Sequence, residues 1–371
     1  MIIKQNNLIS FSFGYKKPMS ENTSLRKEEH LDICLQQDVA FKEKTTGFER
    51  FYFVHNALPE INFSEVDCST YFLDKPLSFP MMITAITGGF REAEKINAEL
   101  AQVCEAQQIA LGLGSQRQAC ENSNYWRSFS VVRDKAPTIP IVGNIGAAQV
   151  ARLSDTEIIQ HLVDLIKADA LAVHLNPLQE VLQPEGNTHF RGVLAGLEKI
   201  VRSLEIPVIV KETGAGISHS VAKQLRQIGV RYVDVSGAGG TSWAGVESYR
   251  SKFPALAKKF WDWGIPTALS ILEVSKVKGL RIIASGGISG GLDIAKAIAL
   301  GADLAGAARI LLKTLCHNGI KGLIELLESW KNELKTVMFL TGSKNLVQLK
   351  KARLINQNWE DVKSSILRRK H

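Results

Sequence analysis

The chain lacks any apolar run of the roughly 18 residues that a membrane-spanning helix needs, so it is expected to be soluble. It lacks a secretory leader too. The opening MIIKQNNLISFSFGYKKPMSENTS has lysines, but Asn and Gln interrupt its apolar stretches. Met19 offers a second start, and residues 1–25 are expected to form a disordered arm. There is no CxxC. The five cysteines (Cys34, Cys68, Cys104, Cys120, Cys316) are odd in number and widely spaced. That pattern fits a reducing cytoplasm, leaves no zinc site, and makes each thiol read as a small buried hydrophobe. No helix-turn-helix, finger or RNP pattern accompanies the net charge of +8. The basic residues are dispersed, with their closest cluster in the tail LRRKH. The balance is read as attraction for anionic phosphates, with no nucleic acid and no membrane as partner. Linkers and low-complexity tracts are missing as well. With 371 residues, 45% hydrophobic and 22% charged, residues 26–371 read as a single core-forming domain.

What the chain does have is eight short apolar runs, starting at Pro80, Ile109, Ile139, Ala170, Pro207, Arg231, Arg281 and Asp303. Each ends in small or polar residues. Near-continuous apolar strands belong to a sheet covered on both faces, hence to parallel strands with helical crossovers. Amphipathic stripes lie between them, such as Ile96, Leu100, Val103 and Cys104, or Ile158, Ile159, Leu162, Leu165 and Ile166. Ser154 and Glu157 have the spacing of a capping box for the second stripe. Strand starts recur about every 30 residues, and eight such units make a closed (β/α)₈ TIM barrel. An open doubly wound sheet is disfavoured because no GxGxxG follows the first run. Residues 1–79 form an extension containing a hairpin-like stretch around FYFVHNALPE and INFSEVDCSTYFL. One or two closing helices are expected from KTLCHNGIKGLIELLESWKNELKTVMFL.

Active sites of such barrels are built at the carboxyl ends of the strands, and here those ends are polar. Ser115, Arg117, Asn144, His174, Asn176 and Lys211 all fall there. Alternation along a strand puts Ala172, His174 and Asn176 on one face, and Ile209 and Lys211 on another. A solvated strand end explains any one of them, but six at comparable ends point to a shared mouth. ASGGISGG after the seventh run and GAARI in the eighth supply glycine and helix N-termini where barrels commonly bind phosphate. Lys211 is placed to stabilise an anionic ring system. Thr241 lies in the glycine-rich loop SGAGGTSW, and residues 244–280 follow as a candidate lid. In NPLQE, read as an extended loop, Gln179 and Glu180 point apart. One faces the reacting carbon and the other a Mg²⁺ ion, which keeps much of its water.

Taken together, RKEEH at Arg26, TGG at Thr87, GSQR at Gly114, GNIG at Gly143, HLNPLQE at His174, KETG at Lys211, SGAGGTSW at Ser236 and ASGGI at Ala284 resemble the type II, FMN-dependent isopentenyl-diphosphate isomerases. The resemblance covers residues 26–309, in family order. It implies interconversion of isopentenyl and dimethylallyl diphosphate in isoprenoid biosynthesis by protonation and deprotonation, with reduced FMN, Mg²⁺ and NADPH as reductant. Arg26, Lys27, Ser115, Gln116, Arg117, His174, Asn176 and Gln179 would contact substrate, with Gln179 and His174 as the catalytic pair. Ala85, Ile86, Thr87, Ser115, Asn144, Lys211, Thr241, Gly286, Gly287, Ala307 and Ala308 would hold FMN, and Glu180 would bind the metal. Family members form homotetramers or larger assemblies, so a homo-oligomer is implied.

Two rival readings fit the residues less well. A flavin-dependent 2-hydroxy-acid oxidase needs a histidine base and an arginine in the loop after the sixth strand, and SGAGGTSWAGVE has neither. A non-catalytic phosphate-binding barrel explains the glycines and the charge, but not the His174, Asn176 and Gln179 group.

Overall fold

The structure is a computed structural model that describes residues 20–356. The second candidate start at Met19 and the basic tail therefore lie outside the described residues. Strands β1 (Phe51–Phe53), β2 (Thr70–Phe72) and β3 (Lys75–Leu77) precede the barrel. All eight apolar runs form its strands: β4 (Met81–Ile83), β5 (Ala110–Gly112), β6 (Ile141–Gly146), β7 (Ala170–Leu175), β8 (Val208–Glu212), β9 (Tyr232–Asp234), β10 (Arg281–Ser285) and β11 (Leu304–Ala307). They close in the order β4 to β11, each pair parallel, with β11 against β4. A last strand, β12 (Leu354–Asn356), pairs antiparallel with β1.

Helix α1 (Ser20–Gln36) comes first; it begins inside the stretch expected to be a disordered arm. Then come α2 (Ala93–Gln107), α3 (Arg117–Glu121), α4 (Arg127–Lys135), α5 (Ala147–Val150), α6 (Glu157–Ile166), α7 (Pro177–Leu182) and α8 (Val193–Ser203). The remainder are α9 (His219–Gln227), α10 (Trp243–Ser248), α11 (Pro254–Lys259), α12 (Thr267–Ser275), α13 (Gly291–Ala299), α14 (Arg309–Leu340) and α15 (Leu346–Leu349). Among the described residues no helix is long and apolar enough to cross a membrane.

Both amphipathic stripes face the barrel. Leu100, Val103 and Cys104 of α2 are buried, as are Ile158, Ile159, Leu162 and Ile166 of α6. The capping box does not form. Helix α6 starts at Glu157, whose N–H donates to Asp155 Oδ1, while Ser154 Oγ donates to the other oxygen of the same carboxylate. A carboxylate one residue nearer takes the role that a serine hydroxyl would have filled. The expected hairpin is also redistributed. Phe51–Phe53 pairs with β12, and the true hairpin is β2–β3, with positive φ at both turn residues, Leu73 and Asp74. Phe72 and Leu77 of that hairpin pack on Met82, Ala110, Val142, Ala170, Ile209 and Leu304, closing the amino-terminal end of the barrel. The closing helices are one run, α14, broken by a non-helical Gly319.

Candidate active site

The carboxyl ends of the strands surround a cavity of about 720 Å³, within the range that binds small ligands and cofactors. Ala85, Ile86 and Thr87 enter it from the end of β4, Ser115 and Arg117 from β5, and Asn144 from β6. His174 and Asn176 come from β7, Gln179 and Glu180 from α7, and Lys211 from β8. Thr241 lines it after β9, Gly286 and Gly287 after β10, and Ala307 and Ala308 at the end of β11, while Arg26 and Lys27 reach it from α1.

Gln116 is the exception. It is completely buried, its Nε2 donates to Leu162 O at 2.9 Å, and its Oε1 accepts from Asn144 N at 3.0 Å. Both ends of the amide are used inside the barrel wall, so Gln116 is a strut under β6 and is removed from the substrate contacts. NPLQE also differs from expectation. It is a short helix with Pro177 in its first turn, a position where the missing N–H costs nothing. Gln179 and Glu180 still both line the cavity, because the helix points its first turn across the mouth. Residues 236–242 of SGAGGTSW are non-helical after β9, while residues 244–280, read as a candidate lid, are mainly helical (α10, α11 and α12). Ser242 Oγ accepts from Gly245 N at 3.0 Å and starts α10.

One side of the cavity is a glycine cradle. Gly286 has φ +102° and a Cβ there would lie 2.1 Å from Gly237 O; Gly287 has φ +78° and its Cβ would lie 2.5 Å from Thr46 Cγ2. Only glycine fits both positions. Helix α14 starts at Arg309, directly beyond Ala307 and Ala308, so its positive end faces the same space.

The wall where α1 meets the ends of β4 and β5 is crowded with cations. Arg26, Lys27 and Arg117 lie close enough that each opposes its neighbours' charge. Burial, then Arg117, lowers the Arg26 guanidinium from its ordinary value. Burial, then Arg26, brings the Lys27 amine down to about 7. Lys27 Nζ donates to Gly88 O and Ser115 O. Arg26 faces Glu185 at 3.8 Å, and Arg117 Nε donates to Glu121 at 2.8 Å. Uncharged polar groups line the wall further round, on β6 and β7. His174 Nδ1 meets Asn144 Oδ1 at 2.8 Å, and burial and Lys211 push its pKa down to about 3. His174 is therefore neutral and leaves Nε2 as an acceptor, which excludes it as a cationic acid near neutral pH. Asn176 Nδ2 donates to Gln179 Oε1 and Glu180 Oε1, each at 3.1 Å, and its own Oδ1 is buried without a hydrogen-bond partner.

Glu247, which the sequence reading missed, joins the polar network behind the cavity wall. It is fully buried and accepts from Gln179 Nε2 at 3.2 Å, with His30 Nε2 at 2.8 Å and Arg250 at 3.0 Å. Burial works against its ionisation, yet its contacts with His30 and Arg250 hold it below the usual carboxylate range. Arg250 also bridges Glu29 and Glu185, each at 2.7 Å, which ties α1 to the mouth. The available signal was helical spacing. Arg26, Lys27 and His30 fall on one face of α1, and RKEEH contains all three.

The family model for FMN-dependent dehydrogenases matches residues 174–356. A lactate oxidase from Pediococcus acidilactici superposes with a TM-score of 0.64 at 18% identity, over 91% of this chain and 94% of that one. A flavocytochrome b2 mutant with pyruvate bound gives 0.65 at 18%, over 88% and 82%. These likenesses establish the fold alone. Sequence relatives go further. Proteins named isopentenyl-diphosphate delta-isomerase are 48% identical in Pelodictyon phaeoclathratiforme, over 91% of this chain and 98% of that protein, and 46% in Pyrococcus furiosus, over 90% and 86%. A third, from Methanothermobacter thermautotrophicus, is 47% identical over 89% and 92%. With its barrel, glycine cradle and cationic rim in the places the motifs required, this chain belongs to the isopentenyl-diphosphate delta-isomerase family.

Proposed function

We propose that this protein interconverts isopentenyl and dimethylallyl diphosphate with reduced FMN and Mg²⁺. The observation that carries the reading is the division of one cavity. A glycine cradle for a phosphate follows β10 and β11, three close-set cations stand where α1 meets the ends of β4 and β5, and neutral polar groups on β6 and β7 line the wall further round. Arg26 and Arg117 each face one carboxylate, Glu185 and Glu121, while Lys27 donates to two carbonyls; a diphosphate supplies further anionic charge to this cluster. An oxidase handling a 2-hydroxy acid has no use for that many charges, and SGAGGTSWAGVE lacks its histidine and arginine.

FMN fits the residues present. Gly286 and Gly287 leave backbone where any side chain would intrude, and Lys211, 7% exposed, supplies a buried cation. In its reduced state FMN supplies an electron-rich ring with titratable nitrogens. Mg²⁺ fits in a different manner. Among the described residues no group of three or more His, Cys, Asp or Glu side chains is placed to hold a metal. Glu180 offers one carboxylate beside the unpartnered Oδ1 of Asn176, a sparse oxygen set that suits a cation shared with substrate phosphate.

The reaction adds a proton at the terminal alkene carbon and removes one from the carbon two bonds away, so atoms balance with no net redox change. Arg26, Lys27 and Arg117 anchor the diphosphate. Neutral His174 and Asn176 offer hydrogen bonds without adding positive charge beside a cationic intermediate. Gln179, held by Asn176 and Glu247, faces the reacting carbons. Helices α1 and α10, clasped through Arg250, keep water from trapping that intermediate. Reduction by NADPH, a cytoplasmic location and a homo-oligomer, tetrameric or larger, complete the proposal. The five free thiols support a reducing compartment.

The test is direct. Purified protein is expected to be yellow, to bleach with dithionite or NADPH, and to convert isopentenyl diphosphate only in the reduced, Mg²⁺-supplied state. Equal turnover after flavin removal would sink the reading.

A further inference from the structure

Parallel pairing puts His174, Lys211 and Asp234 at one level on three neighbouring strands: His174 is in register with Lys211, and Lys211 with Asp234. Asp234 is 1% exposed. Its Oδ1 accepts from Ser285 Oγ at 2.6 Å and from Ser236 N at 3.2 Å. Its Oδ2 is buried, has no hydrogen-bond partner, and lies 4.0 Å from Lys211 Nζ. Among the described residues Asp234 is the one carboxylate within ion-pair distance of that lysine. Glu212, next along the chain, turns its carboxylate away, to the N–H groups of Thr213, Gly214 and Ala215. His174 is uncharged.

A carboxylate oxygen left bare in a dry wall is costly, and a structural strut does not need one. The two bonds to Ser285 and Ser236 use only Oδ1, and an asparagine would keep both. What asparagine would not keep is the negative charge facing Lys211.

We propose that Asp234 is a positioning residue acting through Lys211: a built-in counter-charge that sets how strongly Lys211 favours reduced over oxidised FMN. This rests on the FMN reading above. With Asp234 ionised, Lys211 is half-neutralised before the cofactor accepts electrons. The carboxylate also repels the extra electron density on the reduced ring. Asp234 thereby keeps the reduced cofactor from being held so tightly that its basicity is lost, since a base stabilised too far by a cation no longer takes up a proton.

Asp234→Asn tests this through the redox couple rather than through turnover. FMN-loaded protein is titrated with dithionite against a reference dye, and the pH at which the reduced-flavin spectrum changes is recorded. The affinity ratio of reduced to oxidised FMN is expected to rise about tenfold in the variant, a midpoint shift of about +30 mV for a two-electron couple. The reduced flavin should also stay anionic to lower pH. An unchanged ratio with FMN still bound overturns the proposal and leaves the FMN reading standing. Wild-type protein that binds no FMN overturns both. Should Asp234→Asn fail to fold, judged by circular dichroism, Ser285→Ala takes its place. Loss of the Ser285 hydroxyl weakens the hold on the ionised carboxylate, so a smaller shift in the same direction is expected. No shift, or a shift to lower potential, overturns the proposal.

Discussion

The two ends of this barrel are built from the same strands and obey opposite rules. Moving two residues along a strand, with the inward side unchanged, takes Val142 to Asn144, Ala172 to His174 and Ile209 to Lys211. At the amino-terminal end the inward layer is wholly apolar and is sealed by Phe72 and Leu77 from the β2–β3 hairpin. One step on, it carries an amide, an imidazole and an ammonium around the cavity. The closed end buries its inward layer in apolar contact and keeps its ion pairs, such as Lys75 with Asp169, at the periphery. The open end tolerates bare atoms, such as Asn176 Oδ1 and Asp234 Oδ2, and close-set cations that oppose one another's charge. A single fold thus divides stability from chemistry along its axis.

That division can be broken by experiment. Phe72→Ala is expected to lower unfolding stability by about 3–5 kcal/mol, through lost apolar contact and the void left behind. FMN affinity should be unchanged. A denaturant midpoint read beside a flavin titration checks both, and a parallel loss of FMN affinity would mean that the ends are not separable. Arg26→Ala should do the reverse. Substrate KM is expected to rise about 30-fold, equivalent to about 2 kcal/mol for one charge-assisted contact, with the melting temperature unmoved. An unchanged KM would remove α1 from the substrate site. The smallest effect sharpens the comparison instead. Lys27 loses its proton at about 7, and the cation is the form that binds diphosphate. As pH rises through that value kcat/KM should fall, by about tenfold per unit well above it. In Lys27→Arg the guanidinium stays charged and the fall should vanish. If it persists, another group causes it.

How much of this was legible in the chain follows from the same contrast. All eight barrel strands could be read because burial on both faces leaves near-continuous apolar runs that no loop imitates. The strand-end residues could be read because alternation is a strict rule. Interpretation failed where a side chain's direction depends on something other than a strand. Gln116 was grouped with its GSQR neighbours, but the turn after β5 sends its amide back into the wall. NPLQE was taken as extended although proline in a first helical turn was an available cue. Residues 244–280 read as a lid because helices as short as α10 and α11 show little periodicity. Glu247 and Arg250 were invisible for a different reason. Their importance lies in partners 65 to 221 positions away in the chain, and no local pattern encodes such a pairing. Asp234 was passed over as an acid inside an apolar strand.

Helix α1 has a consequence for how such enzymes are remade. Arg26, Lys27 and His30 sit on an element that is not a strand, loop or crossover of the barrel, and it is fastened by a few polar contacts: Arg250 with Glu29, His30 with Glu247, Lys27 with Gly88 and Ser115, and Arg309 with Cys34. The cup that would grip the cofactor and the clasp that would choose the substrate's anionic head are therefore separate modules. A designer can graft a different clasp, with charges spaced for a monophosphate or a carboxylate, and leave the cup untouched.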